Sequence, residues 1–97
     1  MNKREHLLSN LMEEAGEVVQ AASKVLRFGD DDKGSDGTKP TTLERLQAEY
    51  NDVIALAGLI NEDYGAMVLK ADSKLIAAKQ AKMREKMAKS REQGRLQ

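Results

Sequence analysis

Two acidic pairs at helical spacing are the residues of this chain best suited to chemistry. Glu14 and Glu17 lie in the run Glu13-Glu14-Ala15-Gly16-Glu17, and Glu49 and Asp52 in the run Glu49-Tyr50-Asn51-Asp52. Residues three apart share one face of a helix. At ~100° per residue, Glu14 falls among Leu7, Val18, Ala21 and Val25, with Glu17 at the edge of the same apolar arc. Glu49 is surrounded by Val53, Leu56 and Ile60, and Asp52 lies beside Leu56 and Leu59. If the two helices run antiparallel, Glu17 stands 11 residues before the end of the first and Glu49 about 8 after the start of the second. At ~1.5 Å per residue these positions are ~16 and ~12 Å from the connection, level within one turn, and Glu14 then meets Asp52. Four carboxylates across one seam raise one another's pKa, and unpaired buried charge is costly, so the pattern calls for a cation. Oxygen donors alone favour a hard ion, Mg²⁺ with Mn²⁺ as substitute. Interhelical salt bridges or solvent exposure account well for one such pair and poorly for two that are level.

Composition removes several other chemistries. The 97 residues contain no Cys and one His, which excludes disulfides, Cys-ligated zinc, iron–sulfur clusters, thiol nucleophiles and multi-His sites within one chain. A ferritin-like di-iron site wants Glu-x-x-His pairs, and His6 occupies no such position. Sixteen Lys and Arg balance 16 Asp and Glu, so the net charge is zero and nucleic acid is not the expected partner. No stretch approaches the ~20 apolar residues of a membrane span, and Met1 to His6 is charged, unlike a signal peptide. These features lead us to expect a cytoplasmic protein without a membrane partner.

The elements that must position the acids are helices. Asn2 with Glu5 and Thr41 with Glu44 have capping-box spacing, and each opens an apolar helical pattern. The first runs through Leu7, Leu8, Leu11, Val18, Ala22, Val25 and Leu26; the second through Leu43, Leu46, Val53, Leu56, Ala57 and Ile60. The patterns predict helices over 3–28 and 42–63, a Gly- and Asp-rich loop over 29–41, a third helix over 72–91 with a stripe of Leu75, Ile76, Met83 and Met87, and a frayed tail over 92–97. Tyr64-Gly65 is the stop of the second helix. The expected fold is one all-α domain, a helical hairpin plus one helix. A domain this small buries a modest share of its surface, so an oligomeric helical bundle is expected.

The same residues resemble the all-α nucleoside triphosphate pyrophosphohydrolase superfamily, the MazG-like proteins with their dimeric dUTPase and phosphoribosyl-ATP pyrophosphohydrolase relatives. That family's pattern is EExxE followed by ExxD, here Glu13-Glu14-x-x-Glu17 and Glu49-x-x-Asp52. The text from Glu13 to Gly29, EEAGEVVQAASKVLRFG, and from Leu46 to Ile60, LQAEYNDVIALAGLI, is similar to small stand-alone bacterial and phage members. The resemblance spans about residues 5–87. It implies Mg²⁺ held by Glu14, Glu17, Glu49 and Asp52, and hydrolysis of an NTP or dNTP between the α- and β-phosphates to monophosphate and pyrophosphate. It also implies a homo-oligomer, dimer or tetramer, in a bacterial or phage-infected cytoplasm. The chain departs from the pattern in a long, Asp-rich segment between the motifs and in few aromatics, Phe28, Tyr50 and Tyr64, which bears on base specificity.

Polyphosphate needs cations around the acids. Lys24 and Arg27 lie toward the loop from Glu17, and Lys79 and Lys82, with Arg84, are candidates on the third helix beside its apolar stripe. The nucleophile would be a water acidified by the metal, and Glu13 or Glu17 the base that takes its proton. The loop's Asp30, Asp31, Asp32 and Asp36 fail calcium-loop spacing, since aligning Gly37 with the invariant glycine puts Leu43 where a bidentate Glu belongs. The loop is a lid or a plain linker. Met12, Met67, Met83 and Met87 suit core filling or a subunit interface. The rival from another class is a non-catalytic helical module that binds a protein or nucleic acid through the basic third helix.

Overall fold

A computed structural model describes residues 1–97 as three helices, α1 (Lys3–Phe28), α2 (Thr42–Tyr64) and α3 (Ser73–Glu92), with no strand. Both expected capping boxes form. The Glu5 amide donates to Asn2 Oδ1 at 2.8 Å, and the Glu44 amide donates to Thr41 Oγ1 at 3.1 Å while the Thr41 amide donates back to Glu44 Oε1 at 3.1 Å. Gly65 closes α2 with φ 68°, a left-handed value that favours glycine, and the Ala66 amide reaches the Asn61 carbonyl at 3.2 Å. Asp72 caps α3 by accepting from the Lys74 and Leu75 amides, each at 3.0 Å.

α1 and α2 form an antiparallel hairpin. At its open end the Arg4 guanidinium meets Asp63 at 2.9 Å and stacks on the Tyr64 ring, 3.7 Å from its centroid. At its closed end the Thr42 hydroxyl donates to the Gly29 carbonyl, and Thr42 is the most buried residue of the chain, 1% exposed. The connecting segment is ordered by its own backbone. The Asp32 carbonyl accepts from the Thr42 amide at 3.0 Å and the Asp30 carbonyl from the Leu43 amide at 3.1 Å. With Thr41 accepting from Glu44 and, through its carbonyl, from Arg45, all four first amides of α2 are satisfied within the chain. The Asp-rich loop is thus a cap built from main-chain carbonyls. Asp36 turns inward on the loop as well, accepting from the Thr38 amide and hydroxyl at 3.0 and 2.7 Å, which holds its carboxyl below the usual range.

The seam between α1 and α2 buries Leu7, Ala21 and Ile60 and half-buries Leu11, Val18, Val25, Leu46, Val53 and Leu56. Leu8, Leu26 and Leu43, expected in the same stripes, are exposed instead. They lie on the side of each helix turned away from the seam, where one neighbour cannot cover two stripes. Met12, Met67, Met83 and Met87 are exposed too. The connector to α3 hangs on Asn61, whose side-chain amide donates to the Leu69 carbonyl and whose Oδ1 accepts from the Leu69 amide, both at 2.8 Å. α3 itself touches neither α1 nor α2. Past α3, Gly94 takes φ 73° and the Arg95 amide donates to the Ser90 carbonyl at 2.8 Å.

Candidate metal centre

The seam brings Glu14, Glu17 and Glu49 together midway along the hairpin, with one carboxylate oxygen of each lying within 4.8 Å of the others. The i, i+3 spacing on α1 supplies two of them, and the antiparallel register sets Glu49 of α2 opposite. Asp52 stays outside this triad and exposed, yet near enough for its charge to act on both Glu14 and Glu49. Glu13 is exposed and outside the cluster.

No Lys, Arg or His pairs with these acids; the ion pairs that form are Arg4–Asp63 and Lys89–Glu85. Glu14 Oε2 and Glu49 Oε2 are inaccessible to water and have no hydrogen-bond donor. Such atoms are expensive to leave bare. The electrostatic consequence is a proton held in the cluster. A hydrogen bond to Glu17, followed by loss of solvent and the charges of Glu17, Asp52 and Glu14, pushes the Glu49 carboxyl up to about 7. Desolvation, then the Glu17 charge, raises Glu14 as well. A cation among the three would replace that proton and satisfy both orphaned oxygens.

Beside the triad, toward the loop, a cavity of about 320 Å³ opens between the helices, lined by Glu17, Gln20, Ala21, Lys24, Thr42, Arg45 and Glu49. Arg45 sits one turn before Glu49 on the same face, and its Nε is buried without an acceptor. Sequence reasoning passed over Arg45, although its position four residues before Glu49 marks it as a neighbour of that acid. Of the cations expected from sequence, Lys24 lines the cavity. Arg27 is exposed, with its guanidinium over the Phe28 ring, 5.0 Å from the centroid. Lys79, Lys82 and Arg84 are exposed on α3, which the single chain does not bring to the hairpin.

The apolar-seam carboxylate triad with a cationic cavity at its edge has the oxygen donors a hard metal ion would need and the cationic side chains an anionic ligand would need. The chain matches no protein family, no curated protein and no solved structure. No helix is long and apolar enough to cross a membrane.

Proposed function

We propose that this protein is a Mg²⁺-dependent, MazG-like nucleoside triphosphate pyrophosphohydrolase that cleaves an NTP or dNTP between the α- and β-phosphates. The observation that carries the reading is the triad of Glu14, Glu17 and Glu49, drawn from two helices, with two buried oxygens lacking any donor and no cationic side chain to neutralise them. In this reading those three carboxylates hold Mg²⁺, or Mn²⁺ in its place, with Asp52 adding charge nearby. The ion supplies neutralisation of the triad and polarisation of the phosphoryl oxygens.

The chain's own residues do the rest. Lys24 and Arg45 line the adjoining cavity without an ion-pair partner, so both are free to take the anionic oxygens of the polyphosphate. A carboxylate, Glu17 of the triad or the exposed Glu13 outside it, accepts the proton of the attacking water. The water oxygen bonds to the α-phosphorus, the bridging P–O bond breaks, and pyrophosphate leaves. Arg45 binds and orients here and is not required for the proton transfer.

Incubation of the pure protein with each NTP and dNTP plus Mg²⁺, followed by product identification, tests the reading. Equal amounts of monophosphate and pyrophosphate are expected. Orthophosphate as the first product would reject the cleavage position. No turnover, together with unchanged Mg²⁺ binding by Glu14→Gln, would reject the enzyme and leave the helical interaction module.

A further inference from the structure

The hairpin and α3 are mismatched to water but matched to each other. A compact 10.7 kDa protein exposes about 5,500 Å² and has a radius of gyration near 12.5 Å. This chain exposes 7794 Å² with a radius of gyration of 17.2 Å. The excess, about 2,300 Å², is nearly three times what each partner of a standard interface buries, roughly 800 Å².

That excess contains two apolar surfaces. On the hairpin, Met12, Val19 and Leu26 of α1 recur at intervals of seven and are 75%, 69% and 88% exposed; Leu43, Tyr50 and Ile54 of α2 continue the same side. Helical projection puts these residues on the side of the seam opposite the cavity of Lys24 and Arg45. Next to Tyr50 and Ile54 a groove of about 560 Å³ extends to Met67 and Leu69 of the connector. On α3, Leu75, Ile76, Met83 and Met87 form a stripe that covers nothing. A solitary helix of 20 residues is marginal in water without packing on one face.

Charge selects the occupant. Residues 1–72 hold eight Lys and Arg against 14 Asp and Glu, whereas residues 73–97 hold eight against two. The zero net charge is therefore a −6 unit covalently joined to a +6 unit, and the second copy of the chain carries the complement of each. Pairing hairpin on hairpin would set two −6 units together; pairing α3 on hairpin joins a +6 unit to a −6 unit.

We infer that two copies of this chain exchange α3, the helix of each lying along the exposed apolar face of the other's hairpin. Both stripes are then covered, Lys79, Lys82 and Lys86 extend their stems along the contact, and the interface repeats by two-fold symmetry. The inference is independent of the reaction proposed above.

Light scattering of the full chain after size exclusion should give at least twice the 10.7 kDa chain mass. Ile54→Glu and Met83→Glu should each reduce that mass to one chain. Since the protein has no cysteine, Ile54→Cys and Ile76→Cys introduce single thiols whose cross-links need no folding correction. A mixture of the two should form linked pairs at several times the yield of either alone. A single-chain mass for the wild type would overturn the inference, as would an oligomer unaffected by Met83→Glu, or one that cross-links only Ile54→Cys to itself. Nucleotide turnover does not enter these readouts, so a silent enzyme would reject the proposed reaction and leave the exchange standing.

Discussion

The two acid-bearing stretches of the α1–α2 seam are treated in opposite ways. At the open end Asp63 receives the Arg4 guanidinium at 2.9 Å, with the Tyr64 ring against the same cation. Midway along, Glu14, Glu17 and Glu49 converge within 4.8 Å with no side-chain ion pair to any of them. The same two helices and the same antiparallel register thus produce one charge-matched contact and one charge-concentrated contact. A seam selected only for stability would resemble its open end throughout, because a carboxylate opposite a carboxylate opposes packing. The middle is the part of the hairpin that gives up stability, which under the proposed reading a bound metal ion would recover.

The sharpest way to break this comparison is Glu49→Gln. If the triad binds metal, nucleotide turnover falls more than about a hundredfold, whereas metal-free thermal stability at pH 8 rises because a repelling charge is gone. Loss of metal-free stability would place the triad with Arg4–Asp63 as structure. Next in size, Arg45→Ala should raise the nucleotide KM about tenfold with Mg²⁺ affinity unchanged, as measured by steady-state kinetics and calorimetry. An unchanged KM would remove Arg45 from the site.

A neutral side chain gauges the frame that holds both regions. Thr42→Ala leaves the Gly29 carbonyl without its donor at the most buried position, and about 1–2 kcal/mol should be lost in urea unfolding. The pH dependence of stability supplies a finer contrast. Glu49 rises from 4.5 to about 7 in the folded chain, so the folded state holds more protons than the unfolded state between those values. The contribution of Glu49 to stability without metal is then greatest below about 4.5 and declines as pH rises through about 7, and Glu49→Gln removes that decline. The smallest effect belongs to the open end: Arg4→Ala should lower the midpoint of thermal unfolding by about 2–4 °C and leave Mg²⁺ binding untouched, because the Arg4 side chain is half exposed.

Much of the hairpin was legible because its signals are local. Asn2 with Glu5 and Thr41 with Glu44 are three-residue relations that a helix start converts directly into hydrogen bonds, and Gly65 needs only its own backbone freedom to stop α2. The inward faces of Glu14 and Glu49 follow from periodicity in the same way. Asn61 and the Arg4–Asp63 contact were not legible, because each takes its role from a partner in another segment. Arg45 was missed although its spacing to Glu49 on the same helix is a local signal. The loop, expected as a lid or a plain linker, has a further role that its aspartates do not announce: Asp30 and Asp32 contribute their main-chain carbonyls to the start of α2.

What the sequence by itself determined is therefore the set of three helices, their ends, and which acids face a neighbour, since spacing along one chain decides all of these. Only the tertiary structure decided that Glu17 and Glu49 meet with Glu14 while Asp52 stands aside, that Arg45 flanks them, and that α3 leaves its own hairpin uncovered. Those outcomes depend on register and on which surfaces meet. They are set by the summed packing of the seam and by charges distant in sequence, quantities that no local pattern of residues contains.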